Sequence, residues 1–180
     1  MYKRQALEQL RIAFELEPGP LYLLDGPISV VRFCHLIDRH ADPAIRKHIG
    51  FNLDVAHWWL KNIKPSFLDQ PLKYLEAEIP SAKDDPIFKK DPPRIRERIF
   101  HSHISGHSRR AHFGDISLTM LSESDRQSYI EWLSALDALS KDEGSEFSGY
   151  VSLEFEAARS RSCVVDSVCE LFRMVDESTK

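Results

Sequence analysis

Short apolar runs alternate with amphipathic stretches four times along this chain. Residues 2–10 (YKRQALEQL) put Ala6, Leu7 and Leu10 on one side and predict a helix already in progress. Residues 11–17 (RIAFELE) predict a strand, stopped by Pro18-Gly19-Pro20. A helix opens near Pro27, a good first-turn residue, and runs through ISVVRFCHLIDRH. A helical turn after Asp42-Pro43 leads into a second strand, IGFNLD, at 49–54. Residues 55–65 predict a helical turn, and 64–94, rich in Pro, Lys and Asp, reads as an irregular insertion. The third strand is RIFHSHIS (98–105). Ser124 is the expected cap of the helix DRQSYIEWLSALDALSK, where Ile130, Leu133, Leu136 and Leu139 recur at helical spacing. After DEGSEFSG, YVSLEFE (150–156) predicts a fourth strand. The closing helix, CVVDSVCELFRMVDES, puts Val164, Val168, Leu171 and Val175 on a common side.

Strand-helix repetition with apolar strands predicts an α/β fold with a parallel sheet, because parallel neighbours need a crossover that a helix supplies. Four β/α units over residues 1–180 make either half of a (β/α)8 barrel or part of an open sheet. Periodicity does not separate the two, but the contents of the strand ends do.

Each strand ends in residues suited to metal binding or acid-base work. The first offers Glu15 and Glu17; the second Asp54, with His57 three residues on. The third offers His101 and His103, then His107, His112 and Asp115 in its loop; the fourth offers Glu154 and Glu156. Strand side chains alternate faces, so each i,i+2 pair points one way. Ionisable pairs facing a helical layer would be costly, whereas around a hydrated mouth holding a cation they are tolerable. Carboxylates and imidazoles without cysteine suit Zn²⁺, Mn²⁺, Co²⁺ or Fe²⁺, and a carboxylate-rich shell favours Mn²⁺ or Mg²⁺.

Composition narrows the setting. The chain of 180 residues is 42% hydrophobic and 29% charged, as a globular domain is. A net charge of −4 provides no general basic field for nucleic acid. No apolar run is long enough for a membrane, and Glu8 interrupts any signal-like stretch. Cys34, Cys163 and Cys169 lack metal-type spacing, and Cys163 and Cys169, within one expected helix, read as packed thiols, so a reducing cytoplasm is the expected location. His35, His40 and His48 read as surface residues.

The run IGFNLDVAHWWL, with its D-x-x-H spacing, resembles the sixth strand of xylose-isomerase-like barrels. IFHSHISGH resembles the seventh strand, and IAFELEPGP and GYVSLEFE the fifth and eighth. That superfamily includes sugar isomerases and epimerases, inosose dehydratases and endonuclease IV. The resemblance covers residues 11–156 and implies a half-barrel of strands 5 to 8. It implies a divalent cation held by Glu15, Asp54, His103 and Glu154, with His57 touching substrate or a second ion. Glu17, His101, His112, Asp115 and Glu156 become supporting groups or alternative ligands. Trp58 and Arg110 are candidates for substrate contact, against a packing role for the first and a solvated loop for the second. The expected reaction is isomerisation or epimerisation of a sugar or polyol, with Glu15 and Glu154 moving a proton. An endonuclease-IV-like phosphodiesterase on abasic DNA is the alternative. The acidic balance and the loop AHFGDI, where Asp115 replaces a second glycine, count against it. Strands 1 to 4 have no counterpart, so the further expectations are a fragment of a longer chain, a half-barrel completed by a partner, a homodimer or a non-catalytic half-barrel.

Overall fold

The computed structural model describes residues 10–17, 19, 21–80, 84–86, 91–108, 113–154 and 161–179, with the backbone alone described at 107, 108, 113–116 and 161. The helix expected over 2–10 lies, but for Leu10, outside the described residues.

Four strands form one all-parallel sheet in the order β1 (Ile12–Glu15), β2 (Ile49–Asp54), β3 (Ile99–Ile104), β6 (Val151–Leu153). Crossovers between them carry the helices. β1 leads to α1 (Pro27–His40) and α2 (Pro43–Arg46), and β2 to α3 (Val55–Leu60), α4 (Ser66–Asp69) and α5 (Pro71–Glu78). β3 leads to a hairpin of β4 (Gly106–Ser108) and β5 (Phe113–Ile116) and then to α6 (Glu123–Ser140); α7 (Arg161–Ser178) follows β6. This is an α/β architecture. No helix among the described residues is long and apolar enough to cross a membrane.

Alternation along the strands sorts their side chains into two faces. Phe14 and Phe51 both meet Phe33 of α1 edge-on, with ring centroids 4.8 and 5.8 Å apart, so one face carries the helices. Leu53, Ile99 and Ile104 are fully buried on that side. They join a core in which Trp58 packs edge-on against Trp132 and Phe67. Each such buried side chain contributes about 1.5–3 kcal/mol. The opposite face carries Glu15, Asn52, Asp54, His103 and Glu154.

A bulge decides which residues of β3 reach that second face. Phe51 pairs with Ile99, but Asn52 pairs with His101, so Phe100 is an extra residue. Since the side-chain period is two, continuous pairing would turn both histidines toward the helices; the extra residue puts them beside Asn52 and Asp54. Phe100 then folds over Gly50. A Cβ there would lie 2.2 Å from the Arg98 carbonyl oxygen and 2.6 Å from the Phe100 ring, so only glycine fits.

Three local expectations need correction. The stretch 64–94 is not irregular throughout, because α4 and α5 occupy its first half and bury Phe67, Leu68, Tyr74 and Leu75. Ser122, not Ser124, caps α6: its hydroxyl accepts from the Asp125 N–H at 3.3 Å. The fourth strand is shorter than 150–156, covering Val151–Leu153, with 155 and 156 outside the described residues. Closing the chain, α7 lies against α6, where Arg126 clasps Glu170 and Glu177 at 2.7 and 2.6 Å.

Candidate metal centre

The C-terminal ends of the four strands bring Glu15, Asp54, His103 and Glu154 together, with one ligand atom from each within 4.8 Å of the others. Parallel register does this: Glu15 lies beside Asn52, and Asp54 beside His103, which neighbours Ser152. The His103 Nδ1 is 3.0 Å from the Glu154 Oε2 and 3.8 Å from the Glu15 Oε2. The two glutamates thus come from the outermost strands and flank the aspartate and histidine of the inner pair.

Asp54 does two jobs. It is fully buried, and its Oδ1 accepts from the His57 backbone N–H at 2.9 Å, capping α3. Its Oδ2 is buried with no hydrogen-bond partner among the described residues. Burial pushes its carboxyl up to about 6 against the pull of His57. A buried carboxylate oxygen without a donor is costly unless a cation or proton satisfies it. Two glutamates, one aspartate and one imidazole with such an oxygen in their midst fit a divalent cation.

His57 sits at the edge of this cluster rather than inside it. Its Nδ1 lies 3.0 Å from the Leu16 carbonyl oxygen, 3.4 Å from the Glu15 Oε1 and 3.8 Å from the Glu17 Oε2. Burial alone would lower its pKa, but contact with Glu15 and the charges of Asp54 and Glu17 raise it to about 9. At neutral pH it is an imidazolium. Glu15 feels the converse: burial pushes its carboxyl up, but His57 and Asn52 outweigh this and hold it below its ordinary value. Glu15, Glu17 and His57 are also close enough to share a cation, yet there the histidine supplies the positive charge itself.

His101 shares the face but not the cluster. Its Nε2 is 2.9 Å from the Ser152 hydroxyl and its ring stands edge-on to His103. Burial, then the neighbouring His103, lowers its pKa. Trp58 is corrected: it is fully buried among Phe67 and Trp132 and cannot contact substrate. Arg110, His112 and Glu156 lie outside the described residues, and Asp115 is described in its backbone alone, as part of β5.

Sequence reasoning passed over Asn52. Its Nδ2 donates to the Glu15 Oε2 at 2.6 Å and reaches the His103 Nδ1 at 3.0 Å, so the amide links two of the four cluster members. The signal was its position, two residues before Asp54 and hence on the same face of β2. A charged cleft of about 880 Å³ also opens at the other end of the sheet, lined by Arg39, Arg46, Ile49, Arg98 and Phe100. It lies at the starts of β2 and β3, away from the carboxyl ends where parallel sheets place their chemistry. Compared with known proteins, the chain matches no family model, no curated protein and no solved structure.

Proposed function

We propose that this chain is the C-terminal half of a metal-dependent (β/α)8 barrel that isomerises or epimerises a sugar or related polyol. One observation carries the reading. Four parallel strands end in Glu15, Asp54, His103 and Glu154, whose ligand atoms meet, with a buried Asp54 oxygen that lacks a donor. On the same face of the sheet His101 and Ser152 pair beside the cluster, which supplies polar partners for a hydroxylated substrate.

Glu15, Asp54, His103 and Glu154 would hold the cation. When bound, it supplies Lewis acidity toward a carbonyl or hydroxyl oxygen of the substrate. The chain's own residues move the proton. Glu15, kept ionised by His57 and Asn52, serves as the base at the carbon beside the carbonyl. Glu154, on the opposite edge of the sheet, is the partner that exchanges a proton on the far side. His57 places a positive charge next to Glu15 and steadies it as a carboxylate.

The test is solvent exchange. Purified protein with Mn²⁺ in deuterium oxide, incubated with a panel of aldoses, ketoses and inososes, should wash deuterium into the carbon adjacent to the carbonyl. In Glu154→Gln, measured at Mn²⁺ high enough to saturate a weakened site, the exchange should still fall by at least ~100-fold. Absence of exchange across the panel in protein shown to bind the ion would overturn the isomerase reading.

A further inference from the structure

The amide of Asn52 occupies a place that a cation's ligand would need. Its Nδ2 stands 2.6 Å from the Glu15 Oε2 and 3.0 Å from the His103 Nδ1, both members of the candidate metal centre. The same His103 Nδ1 also lies 3.0 Å from the Glu154 Oε2, so it can accept from the amide or donate to the carboxylate, but not both. The other end of the amide is poorly served. Asn52 is 8% exposed, and its Oδ1 is buried with no hydrogen-bond partner among the described residues. An unsatisfied acceptor of this kind costs about 1–3 kcal/mol.

The spacing itself is informative. Neighbouring ligand atoms on an octahedral ion with bonds of about 2.1 Å are about 3.0 Å apart, and on a tetrahedral ion with bonds near 2.0 Å about 3.3 Å apart. The terminal amide atom of Asn52 already sits at the shorter of these spacings from the His103 Nδ1, at 3.0 Å, and closer still, at 2.6 Å, to the Glu15 Oε2. The two ends of an amide have nearly the same shape, so a half-turn about its last bond exchanges oxygen for nitrogen without moving the backbone. Turned without a cation, the oxygen would face the Glu15 carboxylate and be repelled. With a cation present the repulsion is replaced by attraction.

We infer that Asn52 is a fifth protein ligand of the metal centre, its amide turning on cation binding to present Oδ1 beside Glu15 and His103. This rests on the metal-binding reading proposed above and adds a choice of metal to it. Five protein ligands with one position left for substrate make a six-coordinate, oxygen-rich shell, which favours Mn²⁺ or Mg²⁺ over Zn²⁺.

The experiment is a calorimetric titration of metal-free protein with Mn²⁺ and, separately, Zn²⁺, in the wild type, Asn52→Ala and Asn52→Asp. Each variant's fold is checked by circular dichroism. Removing the oxygen in Asn52→Ala should weaken Mn²⁺ binding by at least ~10-fold and Zn²⁺ binding by less than ~3-fold. Asn52→Asp keeps an oxygen and loses the N–H, so it should bind Mn²⁺ as tightly as wild type or more so. If Asn52→Asp falls as far as Asn52→Ala, the side chain acts as a donor and the inference is wrong. It is equally wrong if Asn52→Ala binds Mn²⁺ like wild type, and in that case the four-residue centre still stands. A wild type that binds neither ion overturns both readings. Should the variants misfold, wild type loaded with Co²⁺ decides. Weak visible absorption of a six-coordinate ion is expected, and the intense bands of a four-coordinate ion would refute the fifth ligand.

Discussion

Replacing His57 by Gln should remove a pH-dependent share of stability, and the direction runs against ordinary acid unfolding. The imidazole of His57 has three carboxylates about it, and its pKa rises from 6.5 to about 9 in the folded chain. A raised value means that the folded state holds the proton more tightly than the unfolded one. Its contribution is therefore fully present below pH 6.5 and is lost as pH climbs through 9. At about 1.36 kcal/mol per pH unit the rise corresponds to about 3 kcal/mol. Glu17, 40% exposed, is screened by solvent, and a discounted figure is about 2 kcal/mol. Urea unfolding in chelator at pH 6, 8 and 10 reads this directly. Wild type should exceed His57→Gln by about 2 kcal/mol at pH 6, and the two should converge by pH 10. Histidine side-chain NMR should give His57 a midpoint near 9 in the folded protein. A gap that stays constant with pH, or a midpoint at or below 6.5, would refute the reasoning.

Other substitutions probe the remaining parts. Asp54→Asn keeps an acceptor for the His57 N–H, so α3 should persist while cation binding is lost. Because burial raises the Asp54 pKa from 3.8 to about 6, ionising it costs the metal-free fold stability progressively between those values and in full above about 6. Metal-free Asp54→Asn should then match or exceed wild type by up to about 2 kcal/mol at pH 8, measured by chemical unfolding. Gly50→Ala forces a methyl against the Arg98 carbonyl and the Phe100 ring and should cost about 3 kcal/mol in the same assay. A neutral result there would mean the bulge at Phe100 is not held as described.

Much of the frame was legible because apolar strands ending in ionisable residues stand out from their surroundings. β2 occupies Ile49–Asp54, the run IGFNLD, and α1 begins at Pro27, as a proline suited to the first helical turn implies. Proline also misled: the Pro-rich stretch 64–94 read as irregular, yet Pro65 and Pro71 stand where α4 and α5 begin. The hairpin of β4 and β5 was hidden in a polar run without alternation. The bulge at Phe100 left no mark in composition, although it puts both histidines on the face that carries the centre. Asn52 escaped notice for a related reason. A neutral amide shows neither charge nor titration, and its role exists only once β1 and β3 stand on either side of it.

The central claim is that four side chains distant in sequence share one cation. Metal-free protein titrated with Mn²⁺ should bind one ion per chain, and His103→Gln should weaken that binding by about 10-fold or more without unfolding the chain. Binding unchanged in His103→Gln, or none in the wild type, would contradict the account.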